Sequence, residues 1–409
     1  MAKNNVLNHN QMKKMNMQIV LDILRRRGKM SRAELARLLN CDGTTITNII
    51  RSLANLNLIV SHGSVSGASP GRPKELLTLN TDAGYCVGLS FEPDLIYGLV
   101  VDLSGKIILR RQVHYEIDIT QAEFLALLKR MSVSLFNDIA GKRLLGVGIA
   151  TFGPLDPKSK VISGSKLFPA VNNLNVQDYF YKSFKLLPEV INTSAARALT
   201  EIWHDSRPAE QKDFILLDAG VGIGAVIVKK GVIIDWQDEY LGEFGHTIVC
   251  PGGKTCTCGL KGCLETVSSI PAIKEGAAAA LGRKSITFDS VIEHYQAGDQ
   301  AIMKVVDNSA EYLGLGIANL INLLVPDKII ISGSLFELGN SYICKLQRIV
   351  DESTFPLFRK KGVLMQQSIY REEAAAIGAA TLSLNKFFTT FHSEKFKNKE
   401  DIRAKELAM

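Results

Sequence analysis

Cys256, Cys258 and Cys263 fall within eight residues of one another, beginning ten positions after His246, in the stretch G-H-T-I-V-C-P-G-G-K-T-C-T-C-G-L-K-G-C-L-E. Three thiolates and an imidazole nitrogen make the Cys3His donor set of a closed tetrahedral zinc site. The spacing therefore predicts one structural Zn2+ bound by His246, Cys256, Cys258 and Cys263. Gly252, Gly253, Gly259 and Gly262 let so short a loop fold its ligands back onto a single ion. A redox pair, or two buried thiols with a chance third, are the alternatives, and the C-x-C spacing between glycines favours metal over both. A closed site shapes a loop and performs no chemistry itself, so the function lies in what surrounds it. Seven cysteines, three of them clustered beside a histidine, suit a reducing compartment better than a disulfide framework. Cys41, Cys86, Cys250 and Cys344 are then expected as small buried hydrophobes.

The elements that must position this loop belong to a long chain. Its 409 residues are enough for two or three domains with real cores. A hydrophobic content of 46% with 22% charged residues is ordinary globular composition, and no apolar run approaches a membrane span. The N-terminus lacks the apolar core of a signal peptide, so a cytoplasmic protein without membrane insertion is expected. The net charge of +7 is unevenly placed: residues 1–80 carry twelve Lys and Arg against four Asp and Glu, and the remainder is close to neutral. Such asymmetry points to an N-terminal module that meets a polyanion.

That module reads as helices. Between Gln11 and Arg27, Met15, Ile19, Leu21, Ile23 and Leu24 suggest an apolar face on a helix ending at Gly28. Ser31 with Glu34 forms a capping box for a short helix that buries Leu35, Leu38 and Leu39. After a Gly-containing turn, a third helix points Ile46, Ile49, Ile50, Leu53 and Leu56 inward and Thr44, Thr45, Thr47, Asn48 and Arg51 outward. This is the order of a helix-turn-helix, whose last helix enters the major groove of double-stranded DNA. Extended runs at residues 58–61 and 75–79 flank a Gly/Ser/Pro loop carrying Arg72 and Lys74, which makes a wing suited to phosphate or a narrow minor groove. A small helical protein-protein module is the competing reading.

From Tyr85 onward the pattern becomes that of an α/β fold: three strands, a helix near residues 121–138 and another strand, then a second three-strand set from Phe214. Two similar beginnings imply two related lobes with a cleft between them. A long helix near residues 300–324, the strand K-I-I-I-S-G and a last helix near 373–388 follow, before a highly charged tail. The run Gly220-Val221-Gly222-Ile223-Gly224 fits a phosphate-facing turn or a tight β-hairpin, and without a following helix it is no dinucleotide fingerprint.

The G-R-P-K wing, the L-L-D-A-G-V-G-I-G-A run, the L-G-E-F-G-H segment and the C-x-C-G-x-x-G-C-L-E cluster together resemble a transcriptional repressor of the ROK family (repressors, open reading frames and kinases) over nearly the whole chain. The resemblance implies an actin-like, hexokinase-like pair of lobes behind a winged helix-turn-helix. It divides the chain into a DNA-binding domain at 1–82, a first lobe at 83–194 with helix 373–390 packing back on it, a second lobe at 195–372 with the zinc loop, and a tail at 391–409. It also implies that Asn192, Glu243, His246 and Glu265 hold sugar hydroxyls, with Asn173 as a further candidate. His246 would then serve both metal and sugar.

Two departures matter. ROK kinases place an aspartate directly after the cleft asparagine as general base, and here Thr193 follows Asn192. Their D-x-G-G-T phosphate loop is replaced by S-F-E-P at residues 90–93, where Pro93 lacks an N–H and Glu92 repels phosphate. The resemblance thus implies a non-enzymatic, sugar-responsive repressor of carbohydrate-utilisation genes. It would bind an inverted-repeat operator as a homodimer or homotetramer and be released by a sugar or sugar phosphate. A repressor governed by a regulatory protein partner, and an active sugar kinase, are the alternatives.

Overall fold

The structure, a computed structural model, describes residues 9–65, 74–163, 166–205, 207, 211–234 and 242–391. Arg72 and the tail beyond residue 391 lie outside the described residues, as does the tip of the wing.

Three helices open the chain: α1 (His9–Arg27), α2 (Arg32–Leu39) and α3 (Gly43–Asn55). They pack with β1 (Met30–Ser31), β2 (Ile59–Val65) and β3 (Lys74–Leu79), which form one sheet in the order β1-β3-β2. The expected capping box is present: Ser31 N–H donates to the Glu34 carboxylate at 2.8 Å, and the Ser31 hydroxyl accepts from Glu34 N–H at 3.3 Å. Leu35, Ile46, Ile49, Ile50 and Leu53 are buried as their periodicity requires. The apolar face of α1 differs from expectation. Met17, Val20, Leu21 and Leu24 are buried, whereas Met15 is 50% and Ile19 37% exposed. The buried four follow i, i+3, i+4, i+7, and at 100° per residue Met15 and Ile19 fall about half a turn away. Leu38 is likewise 40% exposed, because a two-turn helix offers the core only one narrow stripe.

The first lobe begins with the antiparallel strands β4 (Tyr85–Glu92), β5 (Leu95–Asp102) and β6 (Ile107–His114). After α4 (Gln121–Asp138) the chain adds β7 (Leu144–Thr151), a small ribbon of β8 (Val161–Ile162) and β9 (Leu174–Asn175), α5 (Val176–Phe184) and β10 (Glu189–Asn192). The resulting sheet runs β10-β7-β4-β5-β6, with β7 parallel to both β4 and β10. α6 (Thr193–His204) then leads to the second lobe. There β11 (Phe214–Ala219), β12 (Ile223–Lys229) and β13 (Val232–Ile233) repeat the antiparallel opening, and β14 (Lys328–Ser332) and β15 (Leu364–Gln367) add in parallel to give the order β13-β12-β11-β14-β15. Helices α7 (Glu265–Ser268), α8 (Ile270–Ala280), α9 (Phe288–Gln296), α10 (Gln300–Leu324), α11 (Asn340–Ser353) and α12 (Pro356–Lys361) belong to this half.

The last helix, α13 (Ala374–Thr390), returns to the first sheet and lies between it and α6. The approach is close enough to demand glycine: a Cβ on Gly148 of β7 would sit 1.8 Å from the Ala379 carbonyl oxygen, and one on Gly378 would sit 1.8 Å from that of Ala196. α13 also closes the N-terminal module. One hydrophobic cluster joins Leu21, Leu24, Leu53 and Leu79 to Leu99, Leu384, Phe387 and Phe388, so the three-helix unit shares a core with α13 and the face of the first sheet that α13 covers. Cys86 is buried as expected, Cys41 and Cys250 are partly covered, and Cys344 is exposed, because its position on α11 faces solvent while Tyr342 and Leu346 take the core side. Among the described residues no helix is long and apolar enough to cross a membrane.

Candidate functional site

The ligand atoms of His246, Cys256, Cys258 and Cys263 all lie within 4.8 Å of one another. His246 Nδ1 is 3.5 Å from Cys256 Sγ, and the sulfurs of Cys258 and Cys263 are 3.7 Å apart. A tetrahedron of Zn–S bonds about 2.3 Å long has edges of roughly 3.8 Å, so the donor set matches a metal ion both in chemistry and in size. The loop reaches this shape through left-handed glycines. Gly259 has φ +96°, and a Cβ on Gly262 (φ +79°) would sit 1.8 Å from the Cys250 carbonyl oxygen.

The imidazole of His246 faces two ways. Its Nδ1 points to the thiols, and its Nε2 lies 3.7 Å from Glu243 Oε2, on the side of the cleft between the lobes. Glu265, two residues after Cys263, opens α7. Burial pushes its carboxyl above the usual range; His246 opposes the rise and Glu243 adds to it. Asn192 ends β10 and caps α6, accepting from Ser194 N–H at 2.9 Å and donating through Nδ2 to the Gly153 carbonyl at 3.3 Å. Asn192, Glu243, His246 and Glu265 all line one interlobe chamber of about 150 Å³. Asn173 does not line it. It is exposed at the end of the β8–β9 ribbon with φ +58°, its N–H bonded to the Ile162 carbonyl at 2.8 Å. Thr193, 5% exposed, lines the same chamber. The glycine run is a tight hairpin in which Ala219 faces Ile223 and Gly220 N–H donates to the Gly222 carbonyl at 2.9 Å.

Sequence reasoning picked out Glu92 but missed its partners. Glu92 ends β4, Asp218 lies near the end of β11, and Arg197 of α6 is inserted between them with only 4% exposure. Arg197 Nη2 pairs with the Glu92 carboxylate, and Nε is 3.3 Å from Asp218 Oδ2. Burial works to lower the guanidinium, and the carboxylates of Asp218 and Glu92 more than reverse it, so the cation is held. Asp218 also accepts from the Ser194 hydroxyl at 2.7 Å. The signal in the sequence was slight: an arginine on an amphipathic helix reads as a surface residue until the strands on either side are placed.

In the N-terminal module α3 presents Thr44, Asn48 and Arg51 to solvent, with Thr45 and Thr47 half-buried. Asp42 caps the helix, taking both the N–H (2.8 Å) and the hydroxyl (2.7 Å) of Thr45. The Thr47 hydroxyl donates to the Gly43 carbonyl at 2.6 Å, and Arg51 Nη1 to Asn48 Oδ1 at 3.3 Å. Lys74 begins β3, next to the undescribed wing tip.

Two lobes of mixed sheet and helix with a polar cleft between them, and a four-ligand loop at its edge, define an actin-like fold of the kind used by sugar kinases. The chain belongs to the ROK family, whose sequence model matches residues 86–386. It is similar to the xylose repressor of Bacillus spizizenii, 24% identical over 384 residues that cover 92% of this chain and 96% of that protein. Its fold matches the crystal structure of a ROK family transcriptional regulator, a homologue of Escherichia coli Mlc, with a TM-score of 0.76, 23% identity, and coverage of 97% of this chain and 99% of the other. A ROK family glucokinase from Streptomyces griseus, in complex with glucose and AMPPNP, matches with a TM-score of 0.63 and 22% identity, covering 73% of this chain and 99% of that one.

Proposed function

We propose that the protein is a sugar-responsive, non-enzymatic transcriptional repressor of carbohydrate-utilisation genes. One observation carries the reading: a basic three-helix unit shares its core with the first lobe of a kinase-like fold in which Glu92 and Pro93 stand in place of the phosphate loop and Thr193 in place of the general base. Residues 1–82 form a winged helix-turn-helix. Thr44, Thr45, Thr47, Asn48 and Arg51 meet base edges and backbone in the major groove, and Arg72 and Lys74 meet phosphates from the wing. Zinc is the structural ion of the Cys3His loop, and it orients His246. Asn192, Glu243, His246 and Glu265 hold the hydroxyls of a sugar or sugar phosphate, each accepting or donating where the polyol would otherwise leave buried polarity unmet. The protein works in the cytoplasm as a homodimer or homotetramer on an inverted-repeat operator, since a two-fold protein reads half-sites in matching symmetry.

The link between cleft and DNA is α6. Its N-terminal cap is Asn192 in the cleft, Arg197 ties it to both lobes, and near its end Trp203 stacks on Phe388 of α13 with ring centroids 6.4 Å apart. The Arg25 guanidinium of α1 lies 3.7 Å over the Trp203 ring and donates to the Trp203 carbonyl at 3.3 Å. A change in lobe closure around a sugar therefore reaches α1 through one rigid helix. The test is a pair of titrations, with operator DNA from upstream of the neighbouring genes and a panel of sugars. A sugar that binds at micromolar to millimolar concentration and lowers operator affinity, with no ATP turnover, supports the reading. Repression in cells without any sugar binding would transfer control to a protein partner.

A further inference from the structure

We propose that the Glu92–Arg197–Asp218 triad reserves this cleft for an unphosphorylated sugar and closes it to sugar phosphates and nucleotides. The inference rests on the sugar-effector reading and narrows it. Among the described residues Arg197 is the one buried Lys or Arg lining the chamber, and its charge is already ion-paired with Glu92 and Asp218 while Nη1 donates to the Arg371 carbonyl at 3.2 Å; Nε makes no hydrogen bond. Its nearest carboxylates come from strands of both lobes, so its positive charge is balanced on each side before any ligand arrives. Lys166, which is exposed, is the only other Lys or Arg lining the chamber among the described residues, against the carboxylates of Glu92, Asp218, Glu243 and Glu265.

Beyond Arg197 the cleft widens into a second chamber of about 1290 Å³, where a nucleotide would have room. It too is acidic, with Asp94 of the first lobe and Asp289, Glu337 and Glu372 of the second among its lining residues. Taken together the two chambers carry nine carboxylates against four Lys and Arg. A phosphate ester brings about 1.5 to 2 further negative charges at neutral pH, and among the described residues of the first chamber it would find the buried cation already ion-paired and several like charges around it, with Lys274 and Arg371 lying only in the second chamber. A neutral sugar meets no such opposition: the same carboxylates are acceptors for its hydroxyls.

The experiment is calorimetry on the zinc-loaded, full-length protein with free aldoses and N-acetylhexosamines, the corresponding sugar phosphates, and ATP. A free sugar should bind about a hundredfold more tightly than its own phosphate ester, and ATP should show no binding. Glu92→Gln, which removes one carboxylate and leaves Arg197 half-balanced, should narrow that ratio about tenfold. Should this variant fail to fold, the wild-type ratio measured with rising salt decides, since screening must shrink it. A phosphate ester that binds the wild type as well as its parent sugar overturns the triad's role and leaves the sugar-effector reading standing. An unchanged ratio in Glu92→Gln has the same consequence. Failure of both forms of every sugar to bind overturns the two readings together.

Discussion

At the scale of single residues, the site depends on His246 holding one orientation. With Nδ1 among the thiols and Nε2 toward Glu243, loss of the proposed zinc would free the ring to turn and would move Glu265, which follows Cys263 by two residues. Cys258→Ser is expected to lower zinc from one equivalent to well below, measured by elemental analysis, and to weaken effector binding about 10- to 100-fold as loss of an orienting partner does elsewhere. Wild-type protein without stoichiometric metal would sink the zinc assignment. Among the described residues the Glu243 carboxylate meets only His246 Nε2, at 3.7 Å, and its side chain is 52% exposed. Glu243→Gln should cost about 1.5 to 3 kcal/mol of sugar affinity, roughly ten- to a hundredfold in Kd, while leaving the melting temperature nearly unchanged.

At the scale of elements, the proposed coupling would run through α3 and α6. α3 is held by its Asp42 cap, so its outward residues are presented rigidly, whereas the Thr45 and Thr47 hydroxyls are already bonded within the helix. Asn48→Ala should therefore relax operator preference at a single base position, and Arg72→Ala should weaken all sequences alike and lower the salt slope by about one charge. Quantitative binding at several salt concentrations separates the two patterns. For α6, Arg25→Met removes the cation over Trp203, an interaction worth about 0.5 to 2 kcal/mol. Operator affinity without sugar should stay within a few-fold of wild type, and the drop caused by a saturating effector should shrink. Full retention of that drop would remove α6 and Trp203 from the route.

On the scale of the whole molecule, the docking of the N-terminal unit against the lobes leaves a pH signature. Lys212 is covered, donates to the carbonyls of Ile202 (2.8 Å) and Asp205 (2.6 Å), and has its ammonium pulled down from 10.5 to about 8 by burial and by Arg26 and Arg25 of α1, against Asp205 and Asp22. Between those two values the unfolded chain holds this proton more strongly than the native one. The contribution of Lys212 to stability should then rise as pH climbs from about 8 toward 10.5 and level off below 8. The difference in denaturation midpoint between wild type and Lys212→Met should grow across that window, and a constant difference would show that the native lysine is not shifted.

The sequence alone determined whatever is encoded within a few residues of chain. The Cys3His set was legible because its ligands share one short loop, the Ser31–Glu34 box because capping is an i, i+3 interaction, and the order of strands and helices because periodicity is local. A basic surplus in residues 1–80 needs only counting. Other features had no local signature. Which stripe of α1 is buried was decided by what it packs on, since Met15 and Met17 are equally apolar and only Met17 is buried in the shared core. Asn173 stands outside the chamber that takes Asn192, Glu243, His246 and Glu265, because the β8–β9 ribbon turns it to solvent. The triad is the extreme case: Arg197 and Glu92 lie 105 residues apart, and their meeting depends on α6 crossing the ends of β4 and β11 in the two lobes. A buried ion pair of that span is a property of how surfaces meet, and only tertiary structure brings its charges close enough to balance.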